Sequence, residues 1–192
     1  MRIAVMSDVH ANLMALKAVL ADMEVVGPDR VYHLGDLVGY GPCPDETVEL
    51  LRSRPIPTIM GNHEQALFDR KTRLWFNPHA RKALDITKRI MAPETLEFCR
   101  ELPFFISEDR MRFVHGFPPD SATVYIYEHF DDSSQKLFSH FNEDVCFIGH
   151  THELMYCHDQ DGEVDFENLT DDYYDLDPKK RYVINVGSVG QP

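Results

Sequence analysis

The chain has no hydrophobic run long enough to cross a membrane and no cysteine pair at metal-binding spacing. A membrane-spanning helix needs ~20 consecutive apolar residues, which no segment here approaches. The N-terminus has no basic segment followed by an apolar stretch and a small-residue cleavage site. The four cysteines lie apart without a C-x-x-C motif, so we expect reduced, structural thiols. These absences favour a cytoplasmic protein without a membrane segment.

Basic residues are also scarce. The sequence contains 19 Lys and Arg residues and 32 Asp and Glu residues, which gives a net charge of −13. This negative charge disfavours nucleic acid as a partner. Much of the acidity lies in residues 159–177, which we expect to form a solvated surface segment; a calcium loop is disfavoured because the spacing fits no EF-hand. With 192 residues, 43% of them hydrophobic, the chain can bury one core, and we predict a single domain over residues 1–192.

Five strand-like apolar segments each lead into a residue type that binds metals. They run from Met1 to Asp8, from Arg30 to Asp36, from Pro57 to Asn62, from Met111 to His115 and from Val145 to His150. Near-continuous apolar runs are typical of parallel strands that are covered on both faces. The carboxyl ends of such strands share one edge of the sheet. The pattern therefore predicts an α/β fold in which the five segments converge on one site.

Helical patterns connect these segments. Asn12 is placed to cap a helix that ends near Gly27, and residues 46–52 resemble a second crossover helix. Residues 65–102 contain successive helical patterns without a strand, so we predict a helical excursion there. Its helices are predicted to start at Asn77-Pro78 and Ala92-Pro93.

Two further features complete the pattern. The only tryptophan, Trp75, lies in the helical excursion, and core packing is its favoured role over lining a pocket. Asp161-Gly162 between two strand-like runs predicts a hairpin, and residues 182–187 form a last apolar strand.

The candidate ligands are weak signals when taken singly. Asp8 and His10, like His150 and His152, are two residues apart, which lets an extended backbone point both side chains to one side. Asp36 after a glycine is more often a turn or capping residue, although its two oxygens can bridge two cations.

The other two positions are equally ambiguous alone. Asn62 can serve as a neutral ligand or simply occupy a tight turn, and His115 alone would be read as a half-buried strand histidine. His63 would lie beside the metals, with Glu64 fixing its tautomer. We assign no role to the remaining histidines, which are His33, His79, His129, His140 and His158.

Together the motifs Asp-x-His, Gly-Asp, Gly-Asn-His-Glu, His and Gly-His-x-His resemble, in this order, the signature of the calcineurin-like metallophosphoesterase superfamily. The segments 35–42 and 185–190 look most like its compact bacterial and archaeal phosphodiesterase-like branch. The resemblance implies a sandwich of two mixed β-sheets flanked by helices, with the excursion at about 65–102 added. Relatives in this branch usually continue past the Gly-Ser-Val-Gly segment, which leaves a sheet edge in doubt and available to pair with another copy.

The resemblance also implies residue roles. One metal would be bound by Asp8, His10, Asp36 and His152, and the other by Asp36, Asn62, His115 and His150. Asp36 is then the bridge, and His63 is a catalytic residue that binds the scissile phosphate and protonates the leaving oxygen. The mixed donor set suits two divalent transition-metal ions, Mn, Fe, Zn or Co, without choosing among them.

The implied function is a phosphodiesterase or phosphatase. A dinuclear metal centre with a bridging hydroxide would hydrolyse a small phosphorylated substrate. The alternative is a non-catalytic, metal-binding protein-interaction scaffold on the same fold. Such scaffolds have lost part of the active-site set, whereas every position is retained here, and this favours the enzyme.

Overall fold

The computed structural model describes residues 1–171 and 173–191, and its strands form two sheets. The strands are β1 (Ile3–Met6), β2 (Arg30–His33), β3 (Phe105–Glu108), β4 (Met111–Val114), β5 (Val145–Ile148), β6 (Leu154–Gln160), β7 (Glu163–Asn168) and β8 (Tyr182–Val186). A parallel pair contains β1 and β2, and a six-stranded mixed sheet has the order β3-β4-β5-β8-β6-β7. The predicted α/β sandwich is confirmed, and its smaller sheet is purely parallel rather than mixed.

The helices begin and end largely where the sequence indicates. They are α1 (Leu13–Val26), α2 (Pro44–Arg52), α3 (Asn62–Phe68), α4 (Arg70–Trp75), α5 (Pro78–Ile90), α6 (Pro93–Arg100), a 3₁₀ helix (Ile126–His129) and α7 (Ser134–Phe138). Asn12 caps α1 by accepting the Ala15 N–H, and Gly27 ends it in the left-handed conformation, as predicted. Within the described ranges, no helix is both long and apolar enough to span a membrane.

Three apolar clusters stack the elements into layers. The central cluster lies between the two sheets and contains Tyr32, Leu34, Ile59 and Phe113. A second cluster packs α1, α2 and the excursion helices on the outer face of the small sheet, and a third packs α7 and the 3₁₀ helix on the large sheet. Alternation along the strands places Cys146 in the third cluster and its neighbour Phe147 against the central one.

Two sequence-based predictions need correction. The segment 57–61 is no full strand, because only Thr58 forms a bridge to β2, opposite His33. Its prolines explain this, since Pro55 and Pro57 have no N–H to donate to a ladder. The helical excursion contains four helices, α3 to α6, rather than two, and α3 starts directly at Asn62.

The last strand is not at an edge. β8 pairs with β5 on one side and β6 on the other, so β3 and β7 are the edges of the large sheet. The expectation of an open edge beside the last strand is therefore wrong. At the β7 edge, three acidic residues, Glu163, Asp165 and Glu167, are exposed, and like charges on an edge oppose pairing with another copy.

Candidate metal centre

The five motifs converge as the sequence predicts, and most of their ligand candidates have unusual backbone conformations. Five residues have left-handed φ values between 50° and 69°, which are rare outside glycine; they are Asp8, His10, Asp36, His150 and His152. Such strain persists only where the surrounding structure imposes it, and it clusters at functional sites. Asn62 starts α3, and His115 directly follows β4.

One group of donors surrounds Asp8. The carboxylate Oδ1 lies 3.2 Å from Nε2 of His152 and 3.6 Å from Nε2 of His10, and it accepts no hydrogen bond within the described residues. The other oxygen accepts the backbone N–H of His150 at 3.1 Å. These three side chains present one donor atom each to a common point.

The second group surrounds Asp36. Its Oδ2 lies 3.4 Å from Nε2 of His115 and 3.9 Å from Nε2 of His10, so this carboxylate faces both groups. His150 completes the second group, and the Asn62 oxygen lies 2.9 Å from Nε2 of His115. The candidates therefore lie in two neighbouring groups, one around Asp8 and one around Asp36, and the carboxylate of Asp36 faces both.

Each candidate histidine is oriented by a backbone carbonyl. The Nδ1–H of His10 donates to Val38, that of His115 to Leu34 and that of His152 to Gln191, at 3.3, 2.8 and 2.6 Å. In His150 the roles are reversed, because Nε2–H donates to Thr123 at 3.3 Å. The second nitrogen of every ring then faces the cluster with a lone pair. This is how metal-binding histidines are held in proteins.

The two buried carboxylates of the site, Asp8 and Asp36, are stabilised by positive charge. Burial raises the pKa of Asp8 and Asp36, but His115 and the other neighbouring histidines outweigh it and hold both below their usual range. Burial lowers the pKa of His115, yet Asp36 and Asp8 raise it to about 9. The two ionised carboxylates thus favour a proton on His115 when no metal is bound, and bound cations would displace that proton and supply the positive charge in its place.

Asp8 gives an independent test of fit. Its Oδ1 is buried beside the ring nitrogens of His10 and His152, yet it accepts no hydrogen bond from the described residues. A buried carboxylate oxygen that lacks a hydrogen-bond donor suits a bound cation. The residues present therefore fit divalent metal ions.

His63 lies beside these two groups, and its ring nitrogen, a nitrogen of His10 and an oxygen of Asp36 lie within 4.8 Å of one another. Its Nε2 is 3.9 Å from Oδ2 of Asp36, and its backbone N–H donates to Oδ1 of Asp36 at 2.9 Å. Burial lowers the pKa of His63 to about 4, although Asp36 raises it. The ring is therefore neutral at pH 7 until an anion binds beside it, because a negative charge raises an imidazole pKa.

Glu64 does not orient His63, contrary to the sequence interpretation. This buried carboxylate accepts the backbone N–H groups of Asp36, Val38 and Gly61 at 2.8, 3.0 and 3.0 Å. Burial raises the pKa of Glu64 to about 7, with Asp36 adding to the effect. Glu64 therefore connects the loop of Asp36 to the start of α3, a role that the sequence alone does not indicate.

Two glycines let backbone approach the carboxylates closely. A Cβ at Gly61 would lie 2.2 Å from Oδ1 of Asp36 and 2.3 Å from its backbone nitrogen. A Cβ at Gly149 would lie 2.1 Å from Oγ of Ser7 and 2.5 Å from Oδ2 of Asp8. Neither contact is tolerable, so the glycines of the Gly-Asn-His-Glu and Gly-His-x-His motifs are steric requirements.

A pocket of about 420 Å³ opens beside the cluster. Asp36, Asn62, His63, His150 and His152 reach its surface, and the remaining lining residues are Tyr40, Trp75, Phe76, Asn77, Ala80, Tyr125, Tyr127 and Thr151. Core packing was the wrong expectation for Trp75, which is 50% exposed at the pocket. Its position depends on the turn between α4 and α5, which sequence periodicity does not reveal.

Two other groups contain histidines without an assigned role. His129 and His140 lie near Asp132, and His158 lies near Asp165 and Glu167. Asp132 already accepts from His129 at 2.8 Å and from Lys136 at 2.5 Å. His33 is buried, and burial lowers its pKa to about 3.

The comparisons with known proteins agree with this geometry. A profile of the calcineurin-like phosphoesterase superfamily domain matches residues 1–192. The chain belongs to this superfamily. Calcineurin-like phosphoesterases similar to it include a crystallised metallophosphoesterase from Sphaerobacter thermophilus, which is 38% identical with a TM-score of 0.80. The match covers 100% of this chain and 78% of that one.

Two more distant likenesses extend the comparison. The protein MJ0912 of Methanocaldococcus jannaschii is 36% identical over 195 residues, which are 99% of this chain and 76% of that protein. A cold-active protein tyrosine phosphatase is 16% identical with a TM-score of 0.60, over 99% of this chain and 71% of that one. At this identity the likeness shows the calcineurin-like fold alone.

Proposed function

We propose that the protein hydrolyses small phosphate esters with two divalent metal ions bound at the candidate centre. One observation carries the proposal: four histidines, each held by a backbone carbonyl, direct their free nitrogens at two buried, ionised carboxylates beside an open pocket. The family and the S. thermophilus metallophosphoesterase support the same class of reaction.

The two ions would be held by overlapping donor sets. Asp8, His10 and His152 would bind one ion, Asn62, His115 and His150 the other, and Asp36 both. When bound, the pair supplies Lewis-acid polarisation of the phosphoryl oxygens and lowers the pKa of water enough to make it a nucleophile. The mixed nitrogen and oxygen donors fit Mn, Fe, Zn or Co.

The chain's own residues orient and protonate the substrate. His63 lines the pocket, and its Nδ1 has no hydrogen-bond partner among the described residues, so the ring can donate a hydrogen bond to a phosphoryl oxygen. The negative phosphate then raises the pKa of the ring, so that His63 can take up a proton and transfer it to the leaving oxygen. Phe76 packs edge-on against His63, with ring centroids 4.8 Å apart, and restricts its rotation.

A non-catalytic scaffold on this fold is the second candidate. Against it, His63 is present at the pocket, and a scaffold has no need for an acid that binds no metal. The identity of the metals, the single domain over residues 1–192, the cytoplasmic location and self-association stay predictions from the sequence.

The test is hydrolysis by metal-loaded protein. Apoprotein reconstituted with Mn, Fe, Co or Zn is assayed with p-nitrophenyl phosphate and bis(p-nitrophenyl) phosphate, and its metal content is measured in parallel. We expect about two ions per chain and turnover of at least one ester. Two bound ions without turnover of any phosphate ester would favour the scaffold, and a metal content near zero would exclude both readings.

A further inference from the structure

The pocket beside the metal centre has an aromatic wall. Five aromatic side chains line it, which are Tyr40, Trp75, Phe76, Tyr125 and Tyr127. Phe76 is buried against His63, whereas Trp75, Tyr40 and Tyr127 are each at least 40% exposed. An exposed tryptophan at a pocket is unusual in a chain that contains only one, and nothing in the catalytic proposal uses it.

Trp75 and Tyr125 form a shelf that reaches a candidate metal ligand. Their ring centroids lie 5.5 Å apart with planes inclined by 33°. Tyr125 stacks on His150 with centroids 3.9 Å apart and planes within 13° of parallel, and Trp75 lies 6.1 Å from the same imidazole. The aromatic surface therefore begins in contact with a candidate metal ligand and extends from it into the pocket.

The charge of the pocket limits how many phosphate groups a bound substrate can carry. Among the described residues that line it, there is no lysine or arginine, and the polar side chains beyond the cluster are neutral, such as Asn77 and Thr151. A second or third phosphate would need its own cationic partner, because burying an unpaired charge is costly. This composition disfavours polyphosphate chains and phosphopeptides rich in acidic groups.

We propose that Trp75 and Tyr125 bind a planar aromatic substituent of the ester. The preferred substrates are then esters with a single phosphate and one aromatic ring system, supplied either by a nucleobase or by an aryl group. This inference rests on the proposed phosphoesterase function. Stacking on an aromatic side chain gives selectivity for planar groups without a particular hydrogen-bonding pattern.

The decisive comparison keeps the leaving group constant. Three diesters of p-nitrophenol are used, with methyl, phenyl or thymidine 5′ as the retained group, and kcat/KM is measured for metal-loaded protein. We expect the aromatic esters to exceed the methyl ester. Trp75→Ala should reduce this preference about 5- to 100-fold, the range that aromatic stacking supplies, and Trp75→Phe should restore part of it.

A neighbouring residue provides the control. Leu74 is 51% exposed on the same helix and does not line the pocket, so Leu74→Ala should change none of the three rates. A thymidine ester faster than the phenyl ester identifies the nucleobase as the ring, and the reverse identifies an aryl group. All three esters also carry the aromatic p-nitrophenyl group. An equal loss on all three in Trp75→Ala that Trp75→Phe partly restores would mean that the shelf binds this group. An equal loss that Trp75→Phe does not restore would show a structural role and overturn the inference.

A binding measurement separates this inference from the proposed function. The fluorescence of the single tryptophan is followed in metal-loaded protein during titration with phenylphosphonate or methylphosphonate, neither of which is an ester. We expect phenylphosphonate to bind at least about fivefold more tightly and to change the emission. If phenylphosphonate binds more tightly but no ester is hydrolysed, the proposed catalytic function is wrong and the aromatic subsite stands. If the two phosphonates bind with equal affinity, the aromatic subsite is wrong.

Discussion

The Nε2 atoms of His10 and His152 lie 3.1 Å apart. In each ring the Nδ1–H donates to a backbone carbonyl, which leaves Nε2 facing the other ring. Unless one Nε2 carries a proton or a cation lies between them, the two rings direct lone pairs at each other, which is repulsive. A cation between them turns the repulsion into two attractive contacts. The fold therefore holds these rings in a geometry that metal binding stabilises.

Asp36 should control both ions. Because its carboxylate faces both donor sets, we expect Asp36→Asn to lose about two ions per chain, whereas His10→Ala should lose about one. Elemental analysis after reconstitution measures this, with Asp22→Asn on the exposed face of α1 as the control. Equal losses in the Asp36 and His10 variants would contradict the bridging assignment.

His63 should affect turnover without affecting metal content. Removal of a general acid costs ~10²–10⁴-fold in rate, so His63→Ala should lower kcat for an alkyl phosphate ester by that order. The loss should be smaller for a p-nitrophenyl ester, whose leaving group needs less protonation. Steady-state kinetics with both esters, and His79→Ala as an exposed control, provide the comparison. If the loss in kcat is the same for both esters, His63 binds the phosphate but does not protonate the leaving group.

Gly61→Ala should displace Asp36. The added Cβ would lie 2.3 Å from the backbone nitrogen of Asp36, so either the loop or α3 must move. We expect reduced metal content together with a loss of stability of ~1–3 kcal/mol. Gly27→Ala is the control, because no atom lies within 4 Å of its Cβ and its φ of 64° costs stability alone. Full metal content in Gly61→Ala would show that the loop tolerates the shift.

The Glu143 carboxylate should stabilise the fold in a pH-dependent manner. Burial raises its pKa, but Ser107 and Arg112 outweigh this and lower the pKa to about 2. A depressed pKa gives stability that is complete above the unfolded value of 4.5 and lost as the pH falls towards 2. We expect Glu143→Gln to cost ~1–3 kcal/mol at pH 7 and progressively less below pH 4.5.

Urea unfolding at each pH measures the difference in the free energy of unfolding between the wild type and Glu143→Gln. Asp144→Asn serves as the matched control, because its partner Arg110 is largely exposed and the pair contributes little. A Glu143→Gln penalty that stays constant between pH 7 and pH 3 would show that packing rather than ionisation carries the effect.

The sequence predicts which candidate ligands lie close together, because their signals are local. Apolar runs that end at Asp8, Asp36 and His115 mark the carboxyl ends of strands, and strand ends meet in space. The role of Glu64 was misread because its partners, the N–H groups of residues 36 and 38, depend on tertiary packing. Trp75 was misassigned for the same reason, since its hydrophobicity fits a core position and a pocket wall equally well.

The segment after β8 closes the loop of the first motif. Val189 and Gly190 donate backbone hydrogen bonds to the carbonyls of Ser7 and Asp8, at 3.0 and 2.9 Å. Asp8 is thus held in place by residues about 180 positions away in the chain. Closing so long a loop is slow, because contacts that are distant in sequence form late in folding. We therefore expect metal to bind at Asp8 only after residues 182–191 have packed against the first motif.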